Sequence, residues 1–124
     1  MTKPIDLELK KAFLELQVKM VETSKKIQMI DVQIGVMKRV LHHADVTQQE
    51  ISTLPPETKT YESVGRMFLL TDLKEIKQNL ENRIAVLSVR TDELVESKQF
   101  LEMNLQESED NIREMVQQRK EQGD

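Results

Sequence analysis

Apolar residues recur at alternating steps of four and three through the first third of the chain. Ten of the eleven positions are apolar: Leu9, Phe13, Leu16, Met20, Thr23, Ile27, Ile30, Ile34, Met37, Leu41 and Ala44. A series of about five heptads is typical of a helix that packs against another helix in a coiled coil. Because Pro4 is tolerated in a first helical turn, we expect this helix over residues 5–44.

The last third of the chain repeats the pattern. Its series contains thirteen positions, nine of them apolar: Leu73, Lys77, Leu80, Ile84, Leu87, Thr91, Leu94, Lys98, Leu101, Leu105, Ser108, Ile112 and Met115. Asp72 and Glu75 have the spacing of a helix capping box, so a second helix is expected over residues 72–119. The polar members of the series would help to fix the register of the two helices.

The segment that follows the first helix contains a second capping-box pattern. Thr47 and Glu50 have this spacing, which predicts a separate short helix within residues 45–57. Pro55 and Pro56 would end it, because proline lacks the backbone N–H that a helix interior requires. The pattern leaves the path of the chain around these two prolines open.

Two β-prone runs flank Gly65 and Arg66 and predict a β-hairpin over residues 58–71. Its apolar residues would lie on both faces, and one chain of this composition offers no further strand to cover them. Partner subunits would then supply the missing strands, with contacts from Tyr61, Val64, Met67, Phe68, Leu69 and Leu70. The alternative is that Met67–Leu70 forms one more turn of the second helix.

Composition excludes several classes of function. A net charge of −4 with interspersed signs argues against nucleic-acid binding, and no apolar run exceeds four residues, which is too short for a membrane span. The absence of cysteine suits a reducing compartment, so we expect a cytoplasmic protein. Adjacent His42 and His43 lack the spacing of shared metal ligands, and Glu107, Glu109 and Asp110 are expected to be solvated. We therefore predict no enzyme activity, metal or cofactor.

Three stretches of the sequence resemble β-type prefoldin subunits: DLELKKAF (Asp6–Phe13), YESVGRMFLL (Tyr61–Leu70) and EDNIREM (Glu109–Met115). The resemblance implies a mainly α fold, a long antiparallel coiled-coil hairpin whose central β-hairpin joins an intersubunit β-barrel. It also implies a hetero-hexamer of two α-type and four β-type prefoldin subunits. Such an assembly captures unfolded actin and tubulin at its coiled-coil tips and passes them to the cytosolic chaperonin without ATP.

Some apolar residues near the two termini are not needed by the coiled-coil series. These outward-facing residues are candidates for contact with unfolded clients: Leu7, Leu14, Val18, Val21, Phe100 and Met103. An antiparallel pair brings both termini to one free end, so four residues at this tip are further candidates, two of them also members of the series: Ile5, Ile112, Met115 and Val116. Soluble proteins also scatter apolar residues over ordinary surface, which is the competing interpretation. A competing function is a homodimeric coiled coil that serves as a spacer, with the hairpin as a simple bend.

Overall fold

The computed structural model describes the backbone of residues 4–122 and the side chains of residues 7–121. Four elements follow one another: helix α1 (Pro4–Ser52), strand β1 (Thr60–Val64), strand β2 (Met67–Thr71) and helix α2 (Leu73–Gln122). The chain divides into two compact units. Unit 1 combines α1 up to Val32 with α2 from Leu94, and unit 2 is the segment Gln33–Glu93. The predicted fold class of two long helices with a central β-hairpin is confirmed.

Burial follows the predicted coiled-coil series. Between residues 7 and 121, five residues are buried, and all five belong to that series: Thr23, Ile34, Ala44, Leu73 and Thr91. Every other member of the series is half-buried except Phe13, which is 41% exposed. No large side chain in this range is completely enclosed. Among the described side chains, burial is therefore confined to packed helix faces and no globular core forms.

Three polar contacts join the two helices of unit 1. Lys98 Nζ lies 2.7 Å from Asp31 Oδ1, and Lys19 Nζ lies 2.7 Å from Ser108 Oγ. Arg119 Nη2 lies 3.8 Å from Glu8 Oε2. Residue numbers fall on α1 as they rise on α2, so the helices of this unit are antiparallel. Lys98 and Ser108 are polar members of the coiled-coil series, and each contacts a polar side chain of the facing helix. These contacts give the pairing a defined register.

The Lys98–Asp31 pair makes a modest contribution to stability that can be measured. The hydrogen bond to Asp31 raises the pKa of Lys98 above its usual 10.5. A raised lysine pKa stabilises the folded chain at neutral pH, and this contribution is lost as the pH rises past the folded-state pKa. Because both side chains are partly exposed, we expect Asp31→Asn to lower the melting temperature at pH 7 by no more than roughly 5 °C.

Thermal melts followed by circular dichroism at low and high salt test this expectation. The charge exchange Asp31→Lys with Lys98→Asp is the matched control, because it keeps the attraction and reverses its direction. It should recover most of the loss, and the loss should shrink in high salt as the charges are screened. An Asp31→Asn loss that is unchanged by salt and is not recovered by the exchange would contradict the ion-pair explanation.

The predicted end of the first helix was wrong. No separate short helix follows residue 44, because α1 continues to Ser52 without a break. The Thr47 hydroxyl donates to the His43 carbonyl oxygen at 2.8 Å, one helical turn back, as a threonine in a helix interior does. A threonine that starts a helix would instead accept from a backbone N–H further along the chain. The capping-box spacing was therefore a coincidence within a continuous helix.

Short-range hydrogen bonds end α1 and lead into the linker. The backbone N–H groups of Thr53 and Leu54 donate to carbonyl oxygens three residues earlier, at 3.4 and 3.1 Å, which tightens the last turn. The N–H of Thr58 then donates to the Pro55 carbonyl oxygen at 3.0 Å. This closes a β-turn with Pro56 at its second position, where the fixed φ of proline is favourable. The turn leads the chain toward β1.

Candidate assembly and client-contact surfaces

The β-hairpin forms where the sequence predicted it. Strands β1 and β2 are antiparallel, and Val64 pairs with Met67 across a two-residue loop of Gly65 and Arg66. Gly65 has a φ of 63° whereas Arg66 has a negative φ, the combination found in type II′ turns. Glycine adopts this conformation without strain. The alternative that Met67–Leu70 belongs to the second helix was wrong, because these residues lie in β2.

Both faces of the hairpin carry exposed apolar side chains. The register places Tyr61 opposite Leu70, with Phe68 two residues away on the same face, whereas Val64, Met67 and Leu69 lie on the other face. All six side chains are between 48% and 72% exposed, and Phe68 is the most exposed of them. These are the six residues that the sequence analysis assigned to subunit assembly. The hairpin within this chain thus leaves both of its faces uncovered.

The edges of this sheet are also unpaired within the chain. The sheet has two strands, so each strand has one edge that makes no ladder hydrogen bonds to another strand of the described chain. Such edges offer N–H and C=O groups that readily pair with a further strand. A two-stranded hairpin with two apolar faces and two open edges is marginally stable by itself in water.

Most of the predicted client-contact residues lie on the surface of unit 1. Six of them are between 55% and 64% exposed: Leu7, Leu14, Val18, Val21, Phe100 and Met103. Ile112, Met115 and Val116 are half-buried instead. The side chain of Ile5 lies outside the described residues. The structure therefore divides the predicted set into an outward-facing group on each helix and a group near the seam.

An open apolar groove of about 370 Å³ lies between the two helices of unit 1. Seven residues line this groove: Phe13, Leu16, Met20, Glu109, Ile112, Arg113 and Val116. Ile112 and Val116 belong to the predicted client-contact set, and Phe13, Leu16 and Met20 belong to the seam. Phe13 was predicted only as a seam residue, and its contribution to this surface was not predicted. The heptad pattern holds no signal for it, because the exposure of a seam residue depends on how well the facing helix covers its ring.

Neither helix of the described part of the chain has an apolar stretch that could span a bilayer. No three acidic, histidine or cysteine side chains among these residues come together as a metal site. His42 and His43 are both exposed, and they point in different directions because adjacent helical residues diverge.

Comparison of the sequence with known protein families agrees with this fold, in which a β-hairpin lies between two long helices. The profile of the family described as "Prefoldin subunit" matches residues 7–119. The chain belongs to the prefoldin subunit family. Similar relatives include prefoldin subunit 1 of Bos taurus, which is 45% identical over 97% of this chain and 98% of that protein. Prefoldin subunit 1 of Homo sapiens is 44% identical with the same coverage.

A solved structure has the same fold. The prefoldin beta subunit from Thermococcus strain KS-1 superimposes with a TM-score of 0.75, over 91% of this chain and 96% of that chain, at 21% identity. The resemblance predicted from the three sequence stretches is therefore confirmed. As a member of the prefoldin family, the chain is a chaperone component and assembles with other prefoldin subunits.

Proposed function

We propose that the chain is a β-type subunit of a cytoplasmic hexamer with two α-type and three further β-type prefoldin subunits. The hairpins of the six chains would join into a β-barrel platform. The helices would capture unfolded proteins, with actin and tubulin as clients, and deliver them to the cytosolic chaperonin without ATP. The client set and the chaperonin follow from the family resemblance, and the role of the hairpin follows from its geometry.

The exposed hairpin is the single observation that supports this proposal most strongly. Six apolar side chains on a hairpin of ten strand residues are at least 48% exposed. Full burial of one large apolar side chain contributes roughly 1.5–3 kcal/mol. Covering both faces of the hairpin would therefore supply a large part of the free energy that subunit association requires. The open strand edges would add main-chain hydrogen bonds to partner strands.

Client capture would use a different part of the molecule. The outward-facing residues of unit 1 include Leu14 on α1 and Phe100 on α2, which contribute little to the seam because they are more than half exposed. Apolar side chains held on a rigid helix suit transient contact with the exposed core residues of an unfolded chain. The groove beside Phe13 would offer a second, partly enclosed contact.

The assembly part of the proposal gives a direct expectation. The purified chain alone should be a partly ordered species whose association depends on concentration, because its hairpin has nothing to pair with. Mixing it with α-type and other β-type prefoldin subunits should yield one discrete hexamer. Native mass spectrometry gives both mass and composition, and hydrogen exchange should report new protection at Thr60–Val64 and Met67–Thr71.

Three results would contradict assembly through the hairpin. One is a stable monomer whose strand amides are already protected without partners. A second is a stable homodimer that does not combine with the other subunits, which would favour the spacer function instead. The third is a hexamer that forms without new protection in β1 and β2, which would place the interface elsewhere in the chain.

A further inference from the structure

One outward-facing stripe of α2 combines apolar and acidic residues in a regular order. It follows alternating steps of three and four, offset from the seam, so its members share one face of the helix. Within unit 1 the stripe begins with the acidic Glu96, continues with the apolar Phe100 and Met103, and ends with the acidic Glu107 and Asp110. All five are exposed, and the two apolar side chains are each 64% exposed.

The carboxylates of this stripe are available to a partner. Between residues 7 and 121, no Lys or Arg nitrogen lies within ion-pair distance of Glu96, Glu107 or Asp110. Asp110 accepts one hydrogen bond, from Gln106 Nε2 at 3.1 Å, which holds its carboxylate on the surface. The one basic residue of this stretch, Lys98, is occupied by Asp31 of the facing helix. An exposed apolar pair is thus framed by uncompensated negative charge.

The opposite balance holds on α1 of the same unit. Residues 94–112 of α2 contain five acidic residues and one basic residue, whereas residues 10–26 of α1 contain five basic residues and two acidic residues. The outward apolar residues of that α1 segment, Leu14, Val18 and Val21, have exposures similar to those of Phe100 and Met103. The two helices therefore offer apolar surface of similar exposure in opposite electrostatic surroundings.

We infer that the α2 stripe is a selective docking site for unfolded segments in which apolar residues are flanked by lysine or arginine. This inference deepens the proposed function and rests on it. Glu96 and Glu107 are eleven residues apart, which is about 17 Å along a helix. An extended chain spans this distance in about five residues, so two basic residues at that spacing would reach both carboxylates. The apolar residues between them would lie on Phe100 and Met103.

The acidic residues would add selectivity to the apolar contact. Apolar burial alone accepts any hydrophobic segment, whereas the acidic frame attracts a cationic flank and repels an anionic one. The α1 face, with its basic surroundings, would accept the segments that α2 rejects. A single subunit would then contact unlike parts of one unfolded client with its two helices.

Site-specific photo-crosslinking in the assembled complex tests this inference for this chain alone. A photoreactive amino acid replaces Gln99, which is exposed and lies one helical turn from both Glu96 and Met103, or Gln17, which lies one turn from both Leu14 and Val21 on α1. The probes are two short unstructured peptides with the same leucine-containing centre, one flanked by lysines and the other by glutamates at the same positions. Because only this chain carries the crosslinker, the other subunits do not contribute to the signal.

At low salt, we expect the lysine-flanked peptide to crosslink at position 99 roughly tenfold more than the glutamate-flanked peptide. In about 1 M salt the ratio of crosslinking between the two peptides should approach one, because charges more than about 3 Å apart are then largely screened. The variant Glu96→Gln, Glu107→Gln, Asp110→Asn should remove the preference and keep crosslinking through the apolar pair. At position 17 the preference should be absent or reversed.

Equal crosslinking of the two peptides at position 99 in low salt would overturn the inference. So would a preference that survives in the neutralised variant. If neither peptide crosslinks at position 99 while the same complex suppresses aggregation of a denatured protein, the stripe is not a docking site and the proposed function stands. A complex that neither binds the peptides nor suppresses aggregation would contradict the proposed function itself.

Discussion

Replacing Phe68 and Leu70 by Asp is expected to abolish incorporation of the chain into the proposed hexamer. These two side chains lie on one face of the hairpin and are 72% and 64% exposed in the single chain. The chain itself therefore tolerates the change, and most of the helical circular dichroism should remain. Burial of an unpaired carboxylate between subunits costs several kcal/mol, so two of them should weaken assembly by at least about a thousandfold.

Co-purification with tagged partner subunits measures this effect, with the stoichiometry read by native mass spectrometry. The matched control is Val86→Asp with Val89→Asp, which adds the same two charges at exposed positions of α2 in unit 2. The control should assemble normally. If the hairpin variant is recovered in normal stoichiometry, the Phe68 face is not a subunit interface, and the proposed platform would need another surface.

Replacing the outward apolar residues Leu7, Leu14, Phe100 and Met103 by Ser is expected to weaken client capture and leave assembly intact. Serine costs roughly 0.5 kcal/mol at an exposed helix position, which the seam can absorb. Each large apolar side chain removed takes away about 1–3 kcal/mol of burial against a client. In the proposed hexamer five other subunits would also bind the client, so we expect the concentration needed for half-suppression of aggregation to rise by only roughly three- to tenfold.

A titration of assembled complex against a denatured, aggregating protein measures this concentration. The matched control places four serines at exposed valines of unit 2: Val36, Val46, Val86 and Val89. This control should behave as the wild type does. Equal suppression by all three complexes would show that the apolar residues of unit 1 are ordinary surface, and that the tips of other subunits hold the client.

The seam and the hairpin could be predicted from the sequence because both depend on local, periodic patterns. Apart from Phe13, each predicted seam residue is buried or half-buried, including the polar Thr23 and Thr91. A helix repeats every 3.6 residues whatever it packs against, so its apolar stripe is visible in the sequence. Gly65 marked the hairpin turn for a similarly local reason, because the first position of a type II′ turn requires a positive φ.

The candidate client surface was predicted less completely than the seam. Leu7, Leu14, Val18, Val21, Phe100 and Met103 are exposed as expected, because their offset from the seam already places them on the outer face. Their function as client contacts stays a prediction. The groove at Phe13 could not be predicted, because its shape depends on which residues of α2 lie opposite the ring.

The sequence alone determined that the chain would form two packed helices around an incomplete β-hairpin, since periodicity and turn chemistry are local properties. Tertiary structure decided the register of the helices in unit 1, where Asp31 meets Lys98 and Lys19 meets Ser108. It also decided that α1 continues through Thr47 to Ser52. The register depends on which side chains of the facing helix lie opposite each other, and no pattern within one helix encodes that pairing. The capping-box spacing at Thr47 likewise does not encode whether the preceding helix ends, because the same hydroxyl can instead donate to the carbonyl oxygen one turn back.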